Sequence, residues 1–210
     1  MKKYFFYGLT VLFLSNCSSY QKHNALIETN LSVKEQIEDI NYLEGKIEKI
    51  QPNLYQYVSK EELRRKFDSV RSTIDISLKP NDFYFKVSPL LASIRQGHAS
   101  MSALVPQYSK KETKELKKKG LGPISQFDYK FIENKLFIVK NKSKDSTIQE
   151  GTEIVSIENI TPQELFSKYR KTYSSDGYNE TFIPYYFTMR FGTYMFYELG
   201  AKDSVNFKLK

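Results

Sequence analysis

The stretch "IQEGTEIVSIENITPQEL", residues 148–165, decides how the second half of the chain is read. Ile154, Val155 and Ile157 form a short apolar run between Gly151 and Glu158-Asn159, the composition of a brief strand closed by a turn. Thr161 then stands three residues before Glu164, with Pro162 between them. A Thr-x-x-Glu start satisfies two free backbone donors reciprocally, and a proline at the first helical position loses no hydrogen bond. Leu165, Phe166 and Tyr169 supply the buried face of the short helix that follows. Strand, turn and capped helix so close together define a mixed unit.

The flanks extend it. Tyr129–Ile132 and Lys135–Lys140 read as strands joined at Glu133-Asn134. Near the end Val205, Phe207 and Leu209 alternate with polar residues, the period of a half-buried strand. Residues 120–210 therefore read as one mainly-β domain with one short helix. Within it "TFIPYYFTMRFGTYMFY", residues 181–197, holds eight aromatics in seventeen positions. It is either core or a face made to pack against a further domain, since large exposed apolar patches mark contacts.

Residues 110–119, "KKETKELKKK", carry six lysines and two glutamates and separate the halves. They read as a solvated linker helix, with a contact to anionic lipid headgroups as the rival reading. Before them, residues 32–109 read as a small helical bundle ending in a short strand. Ser32 and Glu35 form a capping-box pattern, followed by a stripe of Ile37, Ile40, Ile47 and Ile50. Ser59 and Glu62 repeat it, with Leu63, Phe67, Val70 and Ile74 behind them. A third helix starts near Pro80, with Phe83, Val87, Leu90 or Leu91, and Ile94 on its inner face; Pro89 is expected to kink or divide it. Gly97 suits a left-handed helix termination, which holds His98 at a helix exit, and Ala99–Val105 reads as a strand. On these residues alone His98 is a structural or exposed histidine.

The chain starts with Lys2, Lys3 and an apolar run from Tyr4 to Leu14, about half of the roughly 20 residues that span a bilayer. Small residues follow, and the order is that of a secretory signal. The single cysteine, Cys17, falls at the expected cleavage point. Leu14-Ser-Asn-Cys17 resembles a bacterial lipobox, in which the cysteine is lipidated; Asn16 departs from the usual Gly or Ala. An uncleaved anchor and simple secretion are the alternatives. Residues 1–16 are thus read as a signal peptide and 17–31 as a polar tether. With 40% hydrophobic and 27% charged residues the chain is globular. Its net charge of +8 comes from lysines interspersed with acids, and no nucleic-acid motif accompanies them. His23 and His98 are far apart in sequence with no ligand cluster between, so no metal site is read, and no nucleotide-binding glycine loop is present.

The pattern from Ile148 through Gly151, Ile154, Ile157 and Asn159 to Leu165 resembles a PDZ domain of bacterial proteases, although Thr152-Glu153 stands where Asp is commoner and Asn159-Ile160 where Asn-Gly is. A lipoprotein signal, a helical domain, "GHAS" (residues 97–100) and a PDZ-like domain, in that order, resemble the front part of a tail-specific (C-terminal-processing) serine peptidase. Envelope lipoprotein members from Bacteroidetes-type bacteria are the most similar, through "SIRQGHAS", "LGPISQFDYKF" and "KYRKTYSSDGYN".

The resemblance implies an α+β chain: a small N-terminal helical bundle followed by a PDZ-like mainly-β domain. It implies that His98 is a general base for a serine in a later catalytic domain, to which no residue here is assigned. Gly120-Leu121-Gly122 resembles the family's carboxylate-binding loop, where free backbone donors face a peptide's C-terminal end; otherwise Gly120 merely ends the lysine-rich helix. It implies a polypeptide partner added as a strand, membrane attachment through Cys17, no cofactor, no nucleic acid, and no hydrolysis by this chain alone. The location implied is the bacterial outer membrane. The alternative is a non-enzymatic peptide-binding or scaffold lipoprotein of the cell envelope.

Overall fold

The structure, a computed structural model, describes residues 19–210; residues 1–18, with Cys17 and the signal segment, lie outside the described part. The chain is α+β. Four helices come first: α1 (Ser19–Glu28), α2 (Val33–Ile50), α3 (Lys60–Ser72) and α4 (Pro80–Ala92). The lysine-rich helix α5 (Lys110–Lys119) and a 3-10 turn (Pro123–Gln126) lead into β1 (Phe127–Ile132), β2 (Lys135–Asn141) and β3 (Glu153–Ile157). Helices α6 (Pro162–Tyr169) and α7 (Phe182–Leu199) and strand β4 (Phe207–Leu209) complete it.

The helical unit forms as its stripes require. Ile40, Ile47, Leu63, Phe67, Ile74, Phe83, Val87, Leu90, Leu91 and Ile94 are buried together, with Ile37 and Val70 at the margin. Ile50 is exposed, because α2 ends there and its last turn leaves the core. The Ser32–Glu35 capping box is complete. At Ser59 only half of the expected box forms: the hydroxyl accepts from the Glu62 amide, while the Glu62 carboxylate pairs with Lys66 at 3.4 Å. Pro89 does not divide α4. It lies in the last turn, so only one carbonyl, that of Phe85, loses its intrahelical donor.

The second unit is built on a four-stranded antiparallel sheet in the order β1-β2-β3-β4. Glu133 and Asn134 both have positive φ, 49° and 63°, which matches the two-residue hairpin turn that suits strand twist. Glu158 and Asn159 repeat that conformation after β3. Thr161 and Glu164 close the expected capping box of α6. Phe127 of β1 and Phe207 of β4 meet edge to face at 5.4 Å. These strands are at opposite edges, about 14 Å apart in a flat sheet, so the sheet curls to bring its edges together.

Three expectations fail. Residues 19–28 are helical and docked rather than a tether: the His23 ring nitrogen lies 2.9 Å from the Val105 carbonyl, the Asn24 side chain exchanges two hydrogen bonds with the Gln107 backbone, and Glu28 pairs with Lys79. Such polar clamps leave no apolar period in the sequence. Residues 99–105 join no sheet; the Asn81 side-chain amide both donates to and accepts from the Leu104 backbone, replacing a neighbouring strand. And residues 120–210 are not mainly strand, since the aromatic stretch is helix α7 and the two helices hold more residues than the four strands. Ile183, Phe187, Phe191, Tyr194 and Met195 are its buried face, spaced at helical intervals that the dense aromatics obscured.

Helix α7 is core. Phe187 contacts Phe131 and Phe166 with ring centroids 4.8 and 5.1 Å away, and Tyr194 stacks on Tyr169 at 4.0 Å. The units meet through α4 and the segment after it. Phe85 packs edge to face on Tyr169, and the Tyr197 hydroxyl donates to the Ala103 carbonyl.

Candidate functional site

Gly120 ends α5, at φ +87°, and its amide donates to the Lys117 carbonyl at 3.3 Å. Gly120 therefore stops the helix, and among the described residues the Leu121 and Gly122 amides donate to no protein group. Leu121 is 54% exposed. The loop borders a cleft of about 620 Å³, closed on the other side by the last turns of α7 and by residues 200–205. Its wall is apolar at Ile124, Met195, Phe196, Leu199 and Val205, with Lys119 and Lys202 at the rim, Lys119 lying 3.3 Å from Asp203. An apolar wall with free amides and lysines among its lining residues suits an apolar chain segment ending in a carboxylate.

Helix α7 engages the β1 edge beside this loop. The outward-facing Phe131 amide at the β1 edge donates to the Thr188 hydroxyl at 3.0 Å, so α7 occupies the edge that a peptide strand would take. At β1 a peptide strand would compete with α7 for the Phe131 amide.

His98 lies on the turn that follows α4. The left-handed residue there is Arg95, φ 58°, and not Gly97 as the sequence implied. The turn is held from several sides. Gln96 is buried and donates to the Asn53 carbonyl at 2.8 Å; the Gly97 amide donates to Asp176 at 2.8 Å; the Arg95 carbonyl accepts from the Gly177 amide at 2.8 Å. Ala99 is buried beyond it. The His98 side chain is exposed, and among the described residues its ring has no hydrogen-bond partner. A fixed backbone thus presents an unengaged imidazole. No hydroxyl pairs with it, Ser100 included, so the nucleophile–base contact of a hydrolase is not assembled by the described residues.

No local pattern pointed to the residues that hold this turn from the other side. Gly177, at φ +63°, lies so close to Tyr57 that a β-carbon would stand 3.3 Å from its ring. Tyr178 then meets Tyr57 edge to face at 6.1 Å and carries the Arg95 guanidinium 4.3 Å above its own ring. Beside it a cleft of about 260 Å³ is lined by both units, with Lys66, Arg95 and Arg170 facing Glu62 and Glu180. The pairing of "SIRQGHAS" with "SSDGY" in space, through Gly97 to Asp176 and Gly177 to Arg95, brings the two sides of this turn together.

His98 and Gly120–Gly122 are not brought into one site: the larger cleft includes none of residues 94–100. The buried tyrosines between the units are not acids or bases in waiting. Burial pushes the Tyr169, Tyr173 and Tyr194 hydroxyls far above the ordinary tyrosine value, and the hydrogen bond from Tyr169 to Glu198 at 2.7 Å raises Tyr169 further. Among the described residues no three His, Cys, Asp or Glu side chains gather to hold a metal, and no helix is long and apolar enough to cross a membrane. No protein-family model, curated protein or solved structure matches the chain.

Proposed function

We propose that the chain is the peptide-binding front part of a tail-specific serine peptidase-like lipoprotein. It is held at the cell envelope through Cys17. Its PDZ-like second unit takes the C-terminal end of a polypeptide at Gly120-Leu121-Gly122, and the turn at residues 95–98 offers His98 as general base to a serine carried outside these residues. One observation carries the reading: the cleft of about 620 Å³ lies at the loop whose sequence resembles a carboxylate-binding loop, with the Leu121 and Gly122 amides unengaged. The curled sheet and the capped helix after β3 support a PDZ-like unit, and the exposed ring of His98 supports access by an incoming hydroxyl.

A second reading, a non-enzymatic peptide-binding or scaffold lipoprotein, is favoured by the lack of any hydroxyl paired with His98 among the described residues. A binding assay on the full chain tests what the two share. Flexible peptides with apolar C-termini bind as free acids and lose roughly tenfold or more in affinity as C-terminal amides, since a charge-assisted hydrogen bond is worth about 1.5–3 kcal/mol. Equal binding of acid and amide rejects the carboxylate site. Separation of the two comes from adding the serine-bearing domain: turnover lost on His98→Ala supports the peptidase with His98 as base, turnover insensitive to that substitution rejects His98 as base, and no turnover at all leaves only the scaffold.

A further inference from the structure

Helix α5 buries no face against the other described elements and meets α7 only across the larger cleft, at Leu116 and Lys119. All ten of its residues are exposed. A ten-residue helix is marginal in water without a packed face. This one is held at its ends, by a full capping box between Ser109 and Glu112 and by lysines in the last turn against the helix dipole. Its charges are unevenly used. Lys118 pairs with Glu115 at 2.8 Å and Lys119 with Asp203 at 3.3 Å. Lys110, Lys114 and Lys117 make no ion pair among the described residues, and with Thr113 and Tyr108 they border one shallow hollow of about 310 Å³. Positions 110, 114 and 117 fall on one helical stripe. Leu116, 44% exposed, adds apolar surface on the adjoining side.

The place of this stripe is set by α1. That helix begins two residues after Cys17, and through His23 and Asn24 it is clamped to Val105 and Gln107. Only Tyr108 and Ser109 separate those clamps from the start of α5. The segment nearest the lipidation point is therefore fastened to the root of the lysine helix.

We infer that α5 is a membrane-surface helix, laying Lys110, Lys114 and Lys117 on the anionic headgroups of the bilayer beside the lipid anchor. The bilayer supplies the partner face that the protein does not. The position beside the anchor rests on the reading that Cys17 is lipidated; the headgroup contact does not, and its test removes the acyl chains. Full chain carrying Cys17→Ser is sedimented with vesicles of phosphatidylcholine alone and of phosphatidylcholine mixed with phosphatidylglycerol, at low and high salt. Binding is expected to favour the anionic vesicles and to weaken with salt. At roughly fivefold per lysine, the combined Lys110→Gln, Lys114→Gln, Lys117→Gln variant loses on the order of a hundredfold in partition to anionic vesicles, with binding to neutral vesicles unchanged. The unfolding midpoint of the variant stays at the parent value, because no residue of α5 is buried. A matched variant at Lys34, Lys46 and Lys49 of α2, all exposed, keeps most of the binding. The inference is overturned by salt-insensitive binding, by equal loss in the α2 variant, or by tight binding to RNA or an acidic polypeptide with none to vesicles.

Discussion

Gly177 shows how one backbone position holds the candidate base in place. Its φ of +63° is a conformation that side chains rarely adopt, its α-carbon faces the Tyr57 ring, and its amide donates to Arg95 three residues before His98. Gly177→Ala strains all three contacts at once, and the expected loss is about 1–3 kcal/mol in urea unfolding. His98 behaves oppositely. With an exposed ring and no bonded partner among the described residues, His98→Ala leaves stability within about 0.5 kcal/mol of the parent. A large destabilisation on His98→Ala would mean that the imidazole is a structural group.

At the scale of elements, the helix starts respond to acid. Hydrogen bonds from Ser32, Ser109 and Thr161, first from the side chain and then from the backbone, hold Glu35, Glu112 and Glu164 below the usual glutamate value of 4.5. A carboxylate whose folded value is depressed stabilises the fold above its unfolded value and loses that contribution as pH falls through the folded one. Helicity followed by circular dichroism from about pH 7 to about pH 3 should therefore fall on an acid limb that is shallower in the Glu35→Gln, Glu112→Gln, Glu164→Gln variant. An unchanged limb contradicts the capping account.

The starts at Ser32, Ser59 and Thr161 were legible because a Ser/Thr-x-x-Glu spacing has one local meaning, and two of those three close the full box; Ser109 and Glu112 close a full box that the reading of residues 110–119 as a lysine run passed over. The hairpin at Glu133-Asn134 and the strand at 153–157 were legible for the same reason. Helix α7 was not, since eight aromatics in seventeen positions look like strand or interface and only the spacing of Ile183, Phe187, Phe191 and Met195 reveals the helix. Helix α1 was hidden because side-chain amides and an ion pair, rather than an apolar stripe, dock it. Of the candidate site, Gly120–Gly122 and His98 were visible as residues. Asp176, Gly177 and Tyr178, which fix the histidine turn, come from eighty residues away and leave no local signal.

For the whole molecule, two cores joined by Phe85 on Tyr169 and Tyr197 on Ala103 place the larger cleft on one unit and an exposed histidine on the other. The account depends on where a polypeptide's C-terminus lands. Backbone amide resonances of the labelled chain, followed while a free-acid peptide is titrated in, settle it most directly. The account predicts that the largest shifts fall on Leu121, Gly122 and residues 199–205, with Phe131 and Thr188 unmoved because α7 keeps the β1 edge. Shifts concentrated along β1 and α7 with the loop silent, or none at saturating peptide, would contradict it.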